Sequence, residues 1–270
     1  MSPRRLRIHS YPSATGTSRG AILFVHGAYV DSTCWEYAFV PFFLGQGYDC
    51  FAVDLSGHGA SEGRERVHEF GIDDYADDVA HALAAIGRPA IVVGHSMGSL
   101  VLQRYLERGD AQAAVFLAPV PATGTAGSAI QLAVKHPSFF HGLEQAVQGK
   151  ATQEVTDLMA RIYFSPGATG SEILRFLPMV GPESDRAVAE MALLHTRPPR
   201  RRRRLPTLVV GGAEDAVFPA SMLFFTALLW QADIYRVPGA VHMFLIDHHW
   251  REAADHILRW IDAKAAVENA

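Results

Sequence analysis

The sequence has few cysteines and only a small net charge, and both features limit the classes of function that the protein can have. Cys34 and Cys50 are the only two cysteines among 270 residues. Two cysteines cannot build a disulfide framework, so we expect reduced thiols and a cytoplasmic location. Lysine and arginine number 24 against 28 acidic residues, which gives a formal net charge of −4. So mild a balance argues against nucleic acid as the main partner.

The sequence also lacks a long apolar run. Its basic first eight residues are followed by no apolar signal core, and the run Ala21–Val25 is far too short to cross a bilayer. We therefore expect a soluble protein without stable membrane insertion. No cluster of His, Cys and carboxylate residues has zinc spacing, and no G-x-G-x-x-G follows a strand, so we expect no metal and no cofactor. The oligomeric state is not indicated.

Apolar residues are plentiful, at 49% of the chain, and they suffice for a large core. Apolar runs of strand length alternate with helical segments, which predicts a mostly parallel sheet with helices on both faces. The predicted strands span residues 5–11, 21–25, 49–55, 90–93, 113–118, 207–210 and 233–237. The predicted helices span residues 32–45, 72–86, 97–108, 220–229 and 244–265.

The alternation breaks between residues 119 and 204, where helical pieces rich in Phe, Leu and Met are separated by Pro and Gly. We interpret this stretch as a helical cap, or lid, inserted into a core domain made of residues 1–118 and 205–270. The run Arg200 to Arg204 near its end is unusual in composition. We favour a solvated linker there over a binding site for an anionic head group or a membrane surface.

The clearest chemical signal is Gly94-His95-Ser96-Met97-Gly98, between a predicted buried strand and a predicted helix. It matches G-x-S-x-G, in which a serine stands on a strained strand-to-helix turn with its hydroxyl clear of the sheet. The residues two before and two after the serine crowd against strand and helix, so both must be small. We take Ser96 as the nucleophile. His95 is interpreted as a packing or hydrogen-bonding residue rather than a second base.

A serine hydroxyl is a weak nucleophile and needs an adjacent base, which in turn needs an orienting acid. His242 lies between the last predicted strand and the closing helix, and we take it as the base. Asp215 lies on the loop after the strand that ends at Val210, where parallel sheets carry their chemistry. We take Asp215 as the acid, with Glu214 as its nearest competitor.

Acyl transfer also needs two N–H groups aimed at the oxygen that becomes negative. The residue after the nucleophile, Met97, supplies one of them from a helix N-terminus. The second should come from the loop after the strand that ends at Val25. Ala28 is the first choice there and Tyr29 the second.

Together these motifs resemble the α/β-hydrolase fold superfamily, in its serine esterase and lysophospholipase-like group. The resemblance covers residues 21–118 and 205–261 and implies a triad in the chain order Ser, Asp, His. Ser96 at the nucleophile position argues against the dehalogenases and epoxide hydrolases of that family, which use an aspartate. His58 is interpreted as a structural turn histidine. The segments that carry the resemblance are His26-Gly27-Ala28, Asp54 to Ser61, Gly94 to Gly98, Gly212 to Asp215, and Val241-His242.

The sequence thus predicts a serine hydrolase that cleaves a small-molecule carboxylic ester through Ser96, His242 and Asp215, with an acyl-enzyme intermediate. The apolar content of the cap favours uncharged or apolar acyl groups. Two alternatives stay open. One is the same triad acting on thioesters or carbon–carbon bonds, and the other is a non-catalytic member of the fold that binds a ligand or a protein.

Overall fold

The computed structural model describes residues 4–193 and 205–268, and its centre is a seven-stranded sheet. The strands are β1 (Ile8–Tyr11), β2 (Ala21–Val25), β3 (Asp49–Val53), β4 (Ala90–His95), β5 (Ala113–Leu117), β6 (Thr207–Gly212) and β7 (Asp233–Val237). Their spatial order is β1-β3-β2-β4-β5-β6-β7. β1 is antiparallel to β3 and all other neighbours are parallel. The predicted fold class, a mostly parallel sheet, is confirmed.

Helices connect the strands, and the bounds of most of them follow the predicted segments closely. Before the insertion they are α1 (Phe39–Gly45), α2 (Ile72–Ile86) and α3 (Met97–Leu106). The inserted helices are α4 (Ala126–Lys135), α5 (Phe139–Val147), α6 (Gln153–Tyr163), α7 (Gly170–Phe176) and α8 (Asp185–Met191). The last two are α9 (Ala220–Trp230) and α10 (Trp250–Glu268). Within residues 4–193 and 205–268, no helix is both long and apolar enough to cross a membrane.

The core lies in two layers, one on each face of the sheet, and β2 shows how the sequence divides between them. Ile22 and Phe24 belong to the cluster that includes α1 and α10, whereas Leu23 and Val25 belong to the cluster that includes α2, α3 and α9. All five residues of β2 are buried. Because both faces are covered, this strand is a continuous apolar run rather than an alternating one.

The inserted helices α4 to α8 lie between β5 and β6, where the alternation of strand and helix breaks in the sequence. Three of these helices have a hydroxyl side chain at the N-cap. Thr152, Thr169 and Ser184 accept hydrogen bonds from backbone N–H groups in the first turns of α6, α7 and α8. The run Arg200 to Arg204 lies outside the described residues.

Two predicted helices have different bounds in the structure. The segment predicted as one helix over residues 32–45 is a short 3-10 turn, Ser32–Trp35, followed by α1. Pro41 explains the break, because proline is tolerated in the first turn of a helix and not in its interior. The closing helix begins at Trp250 rather than at Phe244. His248 and His249 therefore precede the helix in which they were predicted to lie.

The reason for the later start of α10 is the buried turn before it. Phe244, Leu245 and Ile246 are consecutive and all buried, whereas a surface helix buries only one stripe of its residues. Asp247 is also buried, and its carboxylate accepts a hydrogen bond from the N–H of His249 at 2.9 Å. Tertiary packing thus fixes this stretch as a turn, although its apolar content alone is compatible with a helix.

Candidate active site

Ser96 lies on the turn between β4 and α3, with a φ of 52° and a ψ of −117°. A positive φ is strained for a residue with a side chain, and it persists only where the surroundings enforce it. The two flanking glycines show that enforcement. A Cβ on Gly94 would lie 2.6 Å from the carbonyl oxygen of Gly98, and a Cβ on Gly98 would overlap the carbonyl oxygens of Val25 and His26. The G-x-S-x-G spacing therefore follows from close backbone packing.

Gly98→Ala should destabilise the protein by about 3 kcal/mol or more, because β2 must move to admit the new methyl group. Gly127→Ala is the matched control, since a Cβ at this position in α4 has no atom within 4 Å. The free energy of unfolding of the control should change by less than about 1 kcal/mol, because Gly127 lies in the first turn of α4 rather than in its interior. Urea denaturation measures both changes. Equal stabilities of the two variants would contradict the packing argument.

The structure brings Ser96, His242 and Asp215 together beyond the carboxyl ends of the parallel strands. Nε2 of His242 lies 3.2 Å from Oγ of Ser96, and Nδ1 lies 2.8 Å from Oδ2 of Asp215. The three residues are 9%, 2% and 5% exposed in the order Ser96, His242, Asp215. With the proton on Nδ1 donated to the carboxylate, Nε2 is left to accept the serine proton. This arrangement can perform nucleophilic attack assisted by a general base.

The loop after β6 places the carboxylate of Asp215 next to His242, and the adjacent Glu214 faces solvent. Oδ1 of Asp215 accepts hydrogen bonds from the N–H groups of Val217 at 2.7 Å and Phe218 at 2.9 Å. These two bonds hold the carboxylate so that its other oxygen reaches His242. The side chain of Glu214 is exposed. Between the two carboxylates that the sequence offers, the geometry favours Asp215.

His95 lies beside the nucleophile but takes no part in the hydrogen-bond chain to Asp215. Its Nε2–H donates to the backbone carbonyl of His242 at 3.0 Å, and the two imidazole centroids are 5.0 Å apart. Burial, together with the nearby His242, lowers the pKa of His95 to about 3. The ring is therefore neutral at ordinary pH. The interpretation of His95 as a hydrogen-bonding residue is confirmed, and its bond holds the loop that carries His242.

The N–H groups of Ala28 and Met97 lie near Ser96, and neither has an acceptor within the described part of the chain. The N–H of Tyr29, the second choice for the oxyanion hole, already donates to Oε2 of Glu183 at 3.3 Å. Met97 is the first residue of α3, so its N–H also lies at the positive end of a helix. Of the two choices in the loop after β2, the N–H of Ala28 is therefore the one without an acceptor among the described residues.

The loop that carries Ala28 is shaped by the buried imidazole of His26. Nδ1 of His26 donates to the carbonyl of Gly27 at 2.8 Å, and Nε2 accepts from the N–H of Leu55 at 3.1 Å. Burial and the neighbouring His58 lower the pKa of His26 to about 4. The neutral ring therefore ties the loop after β2 to the end of β3.

A cavity opens above Ser96 between the sheet and the inserted helices. Its empty volume is about 1330 Å³, including the part open to solvent. Among the described residues that line it there is no Lys, Arg, Asp or Glu. Elsewhere, no three His, Cys, Asp or Glu side chains among the described residues are grouped as metal ligands. The inserted helices contribute large apolar side chains to the lining, including Leu132, Phe139, Leu143, Val155, Met159 and Phe176.

The inserted helices also hold the loop that carries the histidine. The N–H of Val241 donates to Oγ of Ser165 at 3.2 Å, and the N–H of Met243 donates to the carbonyl of Tyr163 at 2.8 Å. Ser165 in turn donates from its hydroxyl to the buried carboxylate of Asp247 at 2.6 Å. Neither Ser165 nor Asp247 is marked as a functional residue by a sequence motif. The two residues are 82 apart in the chain, and no local pattern marks their pairing.

A mostly parallel sheet with a serine on a strand-to-helix turn, and with an acid and a base after later strands, defines the α/β-hydrolase fold. The chain belongs to the alpha/beta hydrolase family, whose sequence profile matches residues 22–261. The resemblance drawn from the motifs is thereby confirmed.

Curated relatives match this chain over part of their length. A non-heme chloroperoxidase of Streptomyces lividans is 36% identical over 104 residues, which are 37% of this chain and 37% of that protein. A bifunctional esterase/perhydrolase of Acinetobacter calcoaceticus is 39% identical over 88 residues, 32% of this chain and 31% of that protein. The match thus spans well under half of either relative. The protein is an α/β hydrolase with relatives named as esterases.

Solved structures resemble the whole chain at lower identity. An esterase from Thermogutta terrifontis superposes with a TM-score of 0.71 at 19% identity and covers 97% of this chain and 96% of its own. A bromoperoxidase from Bacillus anthracis superposes with a TM-score of 0.72 at 18% identity, with the same coverage of 97% and 96%. At these identities the likeness shows the fold alone.

Proposed function

We propose that the protein is a serine hydrolase that cleaves carboxylic esters with apolar acyl groups. The observation that carries this proposal is the continuous hydrogen-bond chain from Asp215 through His242 to Ser96. Ser96 and His242 of this chain line an apolar cavity. A buried serine paired with an oriented histidine is the arrangement that covalent acyl transfer needs.

In the acylation step, Oγ of Ser96 attacks the ester carbonyl carbon while Nε2 of His242 takes its proton. Asp215 keeps the imidazole in the required tautomer and stabilises the imidazolium that forms. The carbonyl oxygen becomes negative and accepts hydrogen bonds from the N–H groups of Met97 and Ala28. Each such donor is worth roughly 10²–10³ in rate. The tetrahedral intermediate then collapses, and Nε2–H of His242 protonates the departing alcohol.

In the deacylation step, a water molecule gives a proton to Nε2 of His242 and attacks the acyl carbon of the ester on Ser96. The same two N–H groups stabilise the second oxyanion. When this intermediate collapses, Oγ of Ser96 recovers the proton from His242 and the carboxylic acid is released. Every proton is returned, so the cycle balances with ester and water as the only reactants.

We also propose that residues 119–204 form a helical cap over the cavity, with residues 1–118 and 205–270 as the core domain. The support is that helices α4 to α8 contribute much of the cavity lining and contact the loop of His242. The proposed partner is a small-molecule ester. Cytoplasmic location stays a prediction from cysteine content, and Cys34 and Cys50 are both buried free thiols.

The alternative reactions use the same proposed groups. Thioester and carbon–carbon bond hydrolysis also pass through an oxyanion and an acyl carbon, so Ser96 and its partners do not distinguish them from ester cleavage. The cavity does bear on the substrate. Burying an ionised group without a partner is costly, and the described lining offers no charged side chain to pair with one. This favours substrates that are uncharged on the acyl side.

A panel of p-nitrophenyl esters should show kcat/KM for the butyrate at least about 100-fold above that for the hemisuccinate, which carries a carboxylate at similar length. The physical reason is the unpaired charge that the apolar lining would bury. Initial rates are measured at pH 7.5 on these esters and on acyl thioesters of the same chain lengths. They give the preference for an uncharged acyl group and the preference for oxygen esters over thioesters.

Ser96→Ala serves as the blank for background hydrolysis in that panel. Equal turnover of butyrate and hemisuccinate would contradict the acyl preference. Thioesters cleaved well above the matched oxygen esters would replace the ester proposal with the thioester one. No turnover of any member, together with no labelling of Ser96 by a fluorophosphonate, would favour a non-catalytic ligand-binding protein.

A further inference from the structure

Glu183, on the segment between α7 and α8, is a carboxylate that the proposed chemistry does not use. It is 3% exposed and its carboxylate accepts four hydrogen bonds. Nε2 of His58 donates at 3.2 Å, the hydroxyl of Tyr75 at 2.9 Å, and the N–H of Ser184 at 2.7 Å. The fourth donor is the N–H of Tyr29 at 3.3 Å. One side chain thus joins the inserted helices to three separate parts of the core.

His58 and Glu183 form a buried ion pair. Nδ1 of His58 contacts the carbonyl of Ser56 at 3.2 Å, so both ring nitrogens face acceptors and both must carry a proton. Burial lowers the pKa of His58, but the charge and hydrogen bond of Glu183 outweigh it and raise the pKa overall. Burial likewise raises the pKa of Glu183, and His58 with the other donors brings it below the ordinary value. The carboxylate is therefore held charged and in place.

Tyr29 is the point where this carboxylate reaches the proposed oxyanion hole. Its φ is 64°, a left-handed conformation that costs energy for a residue with a Cβ. Both backbone polar groups of Tyr29 are held by the inserted segment. Its N–H donates to Glu183, and its carbonyl accepts from the N–H of Gly181 at 2.9 Å. The strained residue is thus held from outside its own loop.

We propose that Glu183 is a positioning residue that aims the N–H of Ala28 by holding Tyr29 in its strained conformation. This rests on the proposed function, in which Ala28 donates to the oxyanion. Glu183 holds the N–H of Tyr29, which belongs to the Ala28–Tyr29 peptide, so it fixes the backbone on the C-terminal side of Ala28. When that peptide rotates, the φ and ψ of Ala28 change with it, and the N–H of Ala28 on the preceding peptide is re-aimed. A donor that is mis-aimed loses its preference for the transition state while substrate binding in the apolar cavity is kept. The signature is a lower kcat at an unchanged KM.

The test uses Glu183→Ala and Glu183→Gln in the full chain with p-nitrophenyl butyrate. Glu183→Ala should lower kcat about 100-fold with KM within about twofold, since one oxyanion donor is worth roughly 10²–10³. Glu183→Gln keeps an acceptor oxygen for Tyr29 and should recover part of that loss, to about 10-fold below the wild type. The inhibition constant of butylboronic acid, whose adduct on Ser96 places an oxygen in the oxyanion hole, should rise in parallel.

Glu172→Gln is the matched control, because Glu172 is a buried carboxylate of the insertion that bonds to Thr169 and not to the core loops. It should keep the wild-type kcat and boronate inhibition. An unchanged kcat in Glu183→Gln, a change in KM alone, or an equal loss in Glu172→Gln would overturn the proposal. If Glu183→Ala does not fold, Glu183→Gln decides by the same criteria. An inactive, unlabelled wild type is a separate result that refutes the proposed function instead.

Discussion

Ser96→Ala should lower kcat for p-nitrophenyl butyrate on the order of 10⁶-fold, the size of effect seen when a triad nucleophile is removed. The reason is that water must then attack without a covalent intermediate, and only the oxyanion donors and binding remain. Alanine can occupy the φ of 52° at Ser96 with no more strain than serine. The free energy of unfolding should therefore change by less than about 1 kcal/mol.

A fluorophosphonate probe measures the same change directly, because it forms a covalent bond only with an activated serine. The wild type should be labelled at Ser96 and Ser96→Ala should not. Ser99→Ala is the control: Ser99 is buried three residues further along α3, and its hydroxyl donates to the carbonyl of Gly94 at 2.7 Å. This control should lose about 1 kcal/mol of stability and keep the label. Labelling of a different serine would contradict the proposed role of Ser96.

The parts of the fold that could be predicted are those with a local pattern. β2 and α2 have the predicted bounds, since the first is a continuous apolar run and the second has apolar residues at helical spacing. The position of Ser96 follows from two glycines and a strand before a helix. The positions of His242 and Asp215 after strands indicate their roles, and the structure brings both side chains to Ser96.

The parts that could not be predicted depend on residues far apart in the chain. His58 and Glu183 are 125 residues apart. His58 has an ordinary local interpretation as a turn histidine, and no local pattern marks Glu183 as its partner. The predicted start of α10 at residue 244 is wrong for a similar reason. An apolar run in a buried turn has the same composition as a buried helix, so the sequence does not distinguish them. Glu214 and Asp215 are adjacent, and only hydrogen bonds to the following loop distinguish them.

Asp215→Asn should lower kcat about 10⁴-fold, while Glu214→Gln should leave it within about twofold. An asparagine keeps the shape of the side chain, but its amide group can donate to Nδ1 of His242. The imidazole then carries its proton on Nε2, where it cannot accept the proton of Ser96. The fall in kcat is therefore caused by the wrong imidazole tautomer and the lost negative charge, and not by a change in packing. Glu214 is exposed and has no such contact to lose.

Comparing Asp215→Asn with Glu214→Gln shows which carboxylate is the acid of the triad, because each substitution removes one negative charge from the same loop. A general effect of loop charge on the imidazolium would lower kcat in both variants, whereas a direct hydrogen bond lowers it in one. If Glu214→Gln shows the larger loss, the acid of the triad is Glu214 and the hydrogen bonds of Asp215 to Val217 and Phe218 are structural only.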